Sequence, residues 1–154
     1  MSLQNMVSRC TVALATAARK MQALQIRLTA GEVKDDVEHL EPYGYTSNPH
    51  PGAEGVAVFP GGDRSHGVVV VVADRRFRLK GLKPGEVALY TDEGDKIHFE
   101  RGRKLTVVTK ALTIQASESV DILSPELKHN GVNIGATHDH GGVLKGGDRT
   151  SSPS

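Results

Sequence analysis

The sequence predicts a mainly β protein: an OB-fold-like barrel followed by an intertwined trimeric β-helix, with a short N-terminal helix in front. Three observations predict it. Short apolar runs separated by turn signals fill residues 20–90. From residue 91 onward, small apolar pairs recur every seven or eight residues. Near the C-terminus, His138 and His140 continue one of these apolar columns. The expected organisation is a helix over 1–19, a barrel over 20–90, a β-helix over 91–143 and a polar tail over 144–154.

Residues 3–19 are rich in Ala, Leu and Val and contain neither Gly nor Pro, the composition of a helix. The barrel follows from strict alternation. Leu24, Ile26 and Leu28 interleave with Ala23, Gln25 and Arg27, and Val37 and Leu40 carry the pattern on. A long punctuated loop runs from Pro42 to Gly52. Gly55-Val56-Ala57-Val58-Phe59 then precedes the turn Pro60-Gly61-Gly62-Asp63. The unbroken run Val68-Val69-Val70-Val71-Val72 predicts a strand buried on both faces. Gly85-Glu86-Val87-Ala88-Leu89-Tyr90 supplies one more strand. About five short strands in this space suit a small closed barrel of the OB type.

The rhythm changes after residue 91. Ile97, Leu105, Leu112, Val120, Leu127 and Ile134 are spaced 8, 7, 8, 7 and 7 residues apart. Each has a same-face partner two residues on: Phe99, Val107, Ile114, Ile122, His129 and Ala136. An antiparallel meander fits this period as well as a solenoid does. Two inward residues per strand cannot enclose a core in one chain, whereas three chains wound about one axis can.

The run Ile134-Gly135-Ala136-Thr137-His138-Asp139-His140-Gly141-Gly142 favours the threefold arrangement. In an unbroken strand Ile134, Ala136, His138 and His140 share a face. Two imidazoles from one chain are too few to hold a metal. Three chains present six nitrogens, an octahedral set that leaves no open position for water or substrate. Such a site is structural, and it favours Fe(II) or Ni(II) over four-coordinate zinc, with iron the more available metal. Asp139 has the opposite parity and is expected to face solvent.

Composition excludes other classes. Lys and Arg number 19 against 18 Asp and Glu, so nothing points to nucleic acid or an anionic membrane surface. The basic cluster Arg75-Arg76-Phe77-Arg78-Leu79-Lys80 is local. With a single cysteine, Cys10, no disulfide forms within the chain. Residues 11–18 are apolar but fall short of the roughly 20 needed to span a bilayer, and no targeting segment is expected. The absence of Trp, with only 4% aromatics, makes a thin core, which oligomerisation would supplement.

The remaining motifs carry little chemistry. Asp63, Ser65 and His66 are triad residue types but lie too close in sequence for triad geometry. Gly61-Gly62-Asp63 lacks the Lys-Ser/Thr of a phosphate loop. Asp92-Glu93-Gly94-Asp95 lacks the ligand spacing of a calcium loop and is a hairpin turn. His39, His50, His66 and His98 have no partner at ligand spacing. No catalytic residue and no cofactor-binding residue is assigned.

Several stretches together resemble the Mu-like baseplate assembly protein V family, the central spikes of contractile phage tails. They are Pro42-Tyr43-Gly44-Tyr45-Thr46-Ser47, Pro51-Gly52-Ala53-Glu54, Asp74-Arg75-Arg76-Phe77-Arg78, Gly81-Leu82-Lys83-Pro84-Gly85-Glu86-Val87-Ala88-Leu89-Tyr90, Asn130-Gly131-Val132-Asn133-Ile134-Gly135 and Thr137-His138-Asp139-His140-Gly141-Gly142. The resemblance covers residues 20–145. It implies a homotrimer with an OB-fold collar, a triple-stranded β-helix and a pointed end. It implies iron at that end, held by His138 and His140 of each chain, and it leaves calcium or chloride sites without residues to assign. It further implies assembly in the host cytoplasm, a place at the tail tip of the virion, contact with baseplate hub proteins, and passage through the host outer membrane. On this reading the protein is no enzyme and takes no small-molecule substrate or nucleic acid. The rival readings are an OB-fold nucleic-acid-binding protein, which needs aligned aromatics and a basic track, and a wall hydrolase, which needs paired carboxylates.

Overall fold

The computed structural model describes residues 6–135 together with His138, Gly142 and Gly146. The chain divides into two compact units, residues 1–112 and 113–154. The first unit holds a closed barrel and a separate three-stranded sheet. The second holds a small hairpin.

Five strands make the barrel: β1 (Val7–Thr16), β2 (Gln22–Arg27), β3 (Val33–His39), β4 (Glu54–Val58) and β5 (Val68–Ala73). Their order around the wall is β1-β2-β3-β5-β4, and β4 closes back onto β1. All neighbours are antiparallel except β3 and β5, which run parallel. This is an OB-like barrel.

The expected N-terminal helix over residues 3–19 is corrected by β1. Cys10 and Val12 are buried while Val7, Arg9 and Thr11 are exposed, a period-2 pattern that a helix cannot present. Residues 7–11 pair with β4 and residues 11–16 with β2. Val7, Thr11, Val12 and Thr16 are β-branched, and pairing on both sides outweighs the helix preference of the interspersed alanines. A bulge between Val12 and Leu14 shifts the register, so that Ala15 packs on the core and Leu14 faces outward.

The barrel interior is filled by Cys10, Val12, Leu24, Ile26, Leu28, Val37, Ala53, Ala57, Phe59 and Val69. Phe59 is its largest side chain and is fully buried, with the Arg64 guanidinium 4.9 Å from the ring centroid. The alternation expected over residues 23–28 is realised in β2. The valine run, expected to be buried on both faces, is not: Val69 is buried, whereas Val70 and Val71 are about half exposed in the single chain. One face of a barrel strand looks outward, and a register shift of β4 against β5 leaves Val70 unpaired.

The three-stranded sheet comprises β6 (Val87–Tyr90), β7 (Lys96–Glu100) and β8 (Lys104–Val108), all antiparallel. β6 therefore lies outside the barrel. The tight turn at residues 91–95 joins β6 to β7, with Gly94 at φ 95°. In the second unit β9 (Lys128–His129) and β10 (Val132–Asn133) form a hairpin. Its two-residue turn is Asn130-Gly131 with φ of 49° and 83°, the left-handed pair that favours this dipeptide. Among the described residues no strand forms within the chain between Val108 and Lys128.

Candidate functional site

Register decides what the β6–β8 sheet presents. Val87 faces Phe99, which faces Leu105, and Leu89 faces Ile97, which faces Val107. These six side chains form two straight cross-strand rows on one face. All six are 40–61% exposed. The opposite face carries Tyr90, Lys96, His98, Glu100, Lys104 and Thr106. The sheet thus has one apolar face and one largely polar face, and its own chain leaves the apolar face uncovered. In the second unit Ile114, Val120, Ile122, Leu127 and Ile134 are exposed as well. Every apolar position of the expected repeat from Ile97 to Ile134 is therefore solvent-facing in one chain.

The polar face is held by Glu86. Its carboxylate accepts the backbone N–H of Lys83 at 2.9 Å and that of Arg101 at 3.1 Å, and lies 3.2 Å from His98 Nε2. These two N–H groups, and then His98, push its pKa below the usual carboxylate value. Glu100 does the same work one strand away, accepting from Thr106 at 2.5 Å and from Lys104 at 2.9 Å.

His138 is the described member of the expected metal pair, and His140 lies outside the described residues. The β9–β10 hairpin positions it. Ile134 N–H donates to the Leu127 carbonyl at 2.7 Å, and Gly135 N–H donates to Asn133 Oδ1 at 2.9 Å. The His138 backbone N–H donates to the Gly135 carbonyl at 3.1 Å. The face that Ile134, Ala136, His138 and His140 were expected to share runs through Ala136, Thr137, Asp139 and His140, which lie outside the described residues. The same carbonyl orients the ring: Nδ1 lies 2.6 Å from it. A carbonyl only accepts, so Nδ1 carries a proton in this contact, and Nε2 is the nitrogen that a neutral ring offers a metal. The donor chemistry of His138 fits a metal. Among the described residues of one chain, no three His, Cys, Asp or Glu side chains converge on one point.

His129, an expected inward position, is exposed on β9 opposite Val132. His50 reaches Asp92 at 3.0 Å and packs against Phe77, with ring centroids 5.3 Å apart and the rings tilted by 50°. Asp63, Ser65 and His66 do meet, but as an exposed turn. The Ser65 hydroxyl and backbone N–H both donate to Asp63 Oδ1, at 2.6 and 2.9 Å, and these bonds, with His66, pull the Asp63 pKa down to about 2. A hydroxyl that donates to the carboxylate is not activated by the imidazole, so no triad exists here. The Asn130-Gly131 hairpin and the Glu86 anchor both escape a search for apolar periodicity, although Asn-Gly between two short runs is a direct hairpin signal.

The barrel is closed and OB-like, and the β6–β8 sheet that follows it leaves an apolar face exposed in one chain. Residues 9–76, which include most of β1 and all of β2–β5, match the family described as "Bacteriophage Mu Gp45, N-terminal". The chain is 36% identical over 126 residues to the "Baseplate puncturing device gp45" of Escherichia phage Mu, covering 82% of this chain and 64% of that protein. It is 38% identical over 160 aligned positions to the "Mu-like prophage FluMu protein gp45" of Haemophilus influenzae, covering 90% of this chain and 87% of that protein. The chain belongs to the bacteriophage Mu Gp45 family.

Proposed function

We propose that this protein is the central spike of a contractile phage tail: a homotrimeric needle at the baseplate that pierces the host outer membrane. The observation that carries the reading is the bare apolar face of β6–β8. Six registered apolar side chains cost free energy in water at about 25 cal/mol per Å² of exposed apolar surface. Three copies about one axis remove that surface from water. The same winding pairs the backbone of the strandless stretch between β8 and β9. The phage Mu relative is named a baseplate puncturing device, which agrees with a mechanical role.

In this reading the barrel is the collar that meets the baseplate hub proteins, and the segment beyond residue 91 is the shaft. The apex is closed by iron. His138 and His140 of three chains supply six imidazole nitrogens, and the saturated shell makes the metal a clasp against fraying rather than a reaction centre. The protein works by shape and stiffness, without catalysis or small-molecule substrate. It resides at the tail tip of the virion after assembly in the host cytoplasm. A nucleic-acid role has less support: Phe59 is sealed inside the barrel and provides no stacking platform.

Elemental analysis of the purified protein tests the apex. One iron per three chains is expected, lost on His138→Ala or His140→Ala with the trimer retained. Wild-type trimers that hold no metal contradict the apex.

A further inference from the structure

We propose that, in the ring of three copies, the acidic turn between β6 and β7 of one copy closes over a basic groove on the barrel of the next, Glu93 meeting Arg9 and Arg78. This rests on the trimeric reading above and specifies which surfaces of the collars meet.

The groove has a volume of about 430 Å³ and lies against the outer wall of β4 and β5. Val56, Val71 and Tyr90 line it, and Arg9, Arg75 and Arg78 add three guanidinium groups. Arg75 is neutralised by Glu54, with an N–O distance of 2.6 Å. Asp74 also lines the groove and is paired with Arg76. Arg9 and Arg78 have no carboxylate partner among the described residues, where the Arg78 guanidinium donates only to the Leu79 carbonyl at 3.4 Å. The groove therefore holds two spare positive charges beside an apolar lining.

The matching charge lies in the same chain. In the turn over residues 91–95, Asp92 is engaged by His50 at 3.0 Å and Asp95 by the Thr91 hydroxyl at 3.2 Å. Glu93, at the exposed tip, has no ion-pair partner among the described residues. Cyclic assemblies use heterologous contacts, so a patch on each copy meets a different patch on the next. Rotation about the axis also preserves height along it. Glu93 is three residues from Tyr90 of the groove, at most about 10 Å by strand rise, so the two differ in height by no more than that along any axis. The acidic stretch of β3 fails on position: β3 meets β5 at Val68 and Val69, the end remote from the groove-lining Ala73. Asp36 is taken by Arg19 and Asp35 by Gln25, and Glu38 pairs in register with Val68 at that remote end. Exposed ion pairs contribute little stability, so the contact fixes the angular setting of the collars while the shaft holds the trimer together.

A cysteine pair tests this. Glu93 and Arg78 are both exposed, and Cys10 is buried and out of reach. The variant carrying Glu93→Cys and Arg78→Cys is oxidised mildly and run on a non-reducing denaturing gel, with light scattering on the same sample. Covalent dimers and trimers as the main species, absent from either single variant, are expected. A trimer by light scattering that yields only uncrosslinked or internally bridged chains overturns the proposed contact and leaves the groove to a different baseplate protein. A monomer by light scattering overturns the contact together with the trimeric reading beneath it.

Discussion

His39 and Gln22 face each other inside the barrel, with Nδ1 and Oε1 2.8 Å apart across the β2–β3 pair. The amide oxygen accepts, so His39 carries a proton on Nδ1. Gln22 Nε2 passes the chain on to the Ser47 carbonyl at 2.7 Å, tying the long loop after β3 to the barrel. Burial pushes the His39 pKa below its ordinary value, against a smaller opposing effect of Glu41.

Protonation of His39 therefore favours unfolding. Its contribution to stability is complete above the unfolded-state value of about 6.5 and is lost as pH falls through the lowered folded value. Thermal unfolding followed from pH 7.5 down to 5 is expected to show a falling Tm, with a shallower slope in His39→Leu. At pH 7.5 that variant loses about 1–3 kcal/mol, because Gln22 Oε1 is left buried without its donor.

Phe59 fixes the cost of crowding the barrel mouth. A Cβ on Gly67 would stand 2.6 Å from Phe59 Cε1, and the fully buried ring has no room to retreat. Gly67→Ala is expected to destabilise by about 1–3 kcal/mol. Phe59→Ala is expected to cost about 3–5 kcal/mol. Urea unfolding measures both.

The apolar face of β6–β8 separates one chain from three. Half-exposed side chains of a monomer tolerate substitution within about 0.5 kcal/mol. In a trimer they are core, and Leu105→Ala is expected to cost about 2–5 kcal/mol, with Phe99→Ser comparable. Val33→Ser, at a similarly exposed barrel position, is expected to stay within about 0.5 kcal/mol. Dissociation temperature at fixed protein concentration reads the difference.

Glu86 predicts the acid limit of the same sheet. Its pKa is depressed by the Lys83 and Arg101 N–H groups and by His98. The stability it provides is present above the unfolded-state value of about 4.3 and is lost as pH falls through the lowered folded value. The protection of β6 and β7 amides, relative to their intrinsic exchange at each pH, is expected to fall below pH 4 in the wild type. In Glu86→Gln that protection is expected to be low already at neutral pH.

Much of the barrel is legible in the sequence because its strands alternate cleanly. Leu24, Ile26 and Leu28 announce β2, and Pro60-Gly61-Gly62 marks the end of β4. β1 is harder: its inward residues Cys10, Val12 and Ala15 are small, and a bulge breaks their parity, so alanine content imitates a helix. The valine run misleads in the other direction, since uniform composition hides the register shift that turns Val70 and Val71 outward. The spacing from Ile97 to Ile134 names the residues that one chain leaves exposed, but a period cannot say what covers them. The β9–β10 hairpin before the tip is set by Asn130-Gly131, a signal that lies outside apolar periodicity.

The most direct measurement is the mass of the purified protein in solution by light scattering. Three times the 16.5 kDa of one chain, stable to dilution, is expected. A stable particle of 16.5 kDa would mean that the apolar face of β6–β8 remains in water, and would contradict the spike.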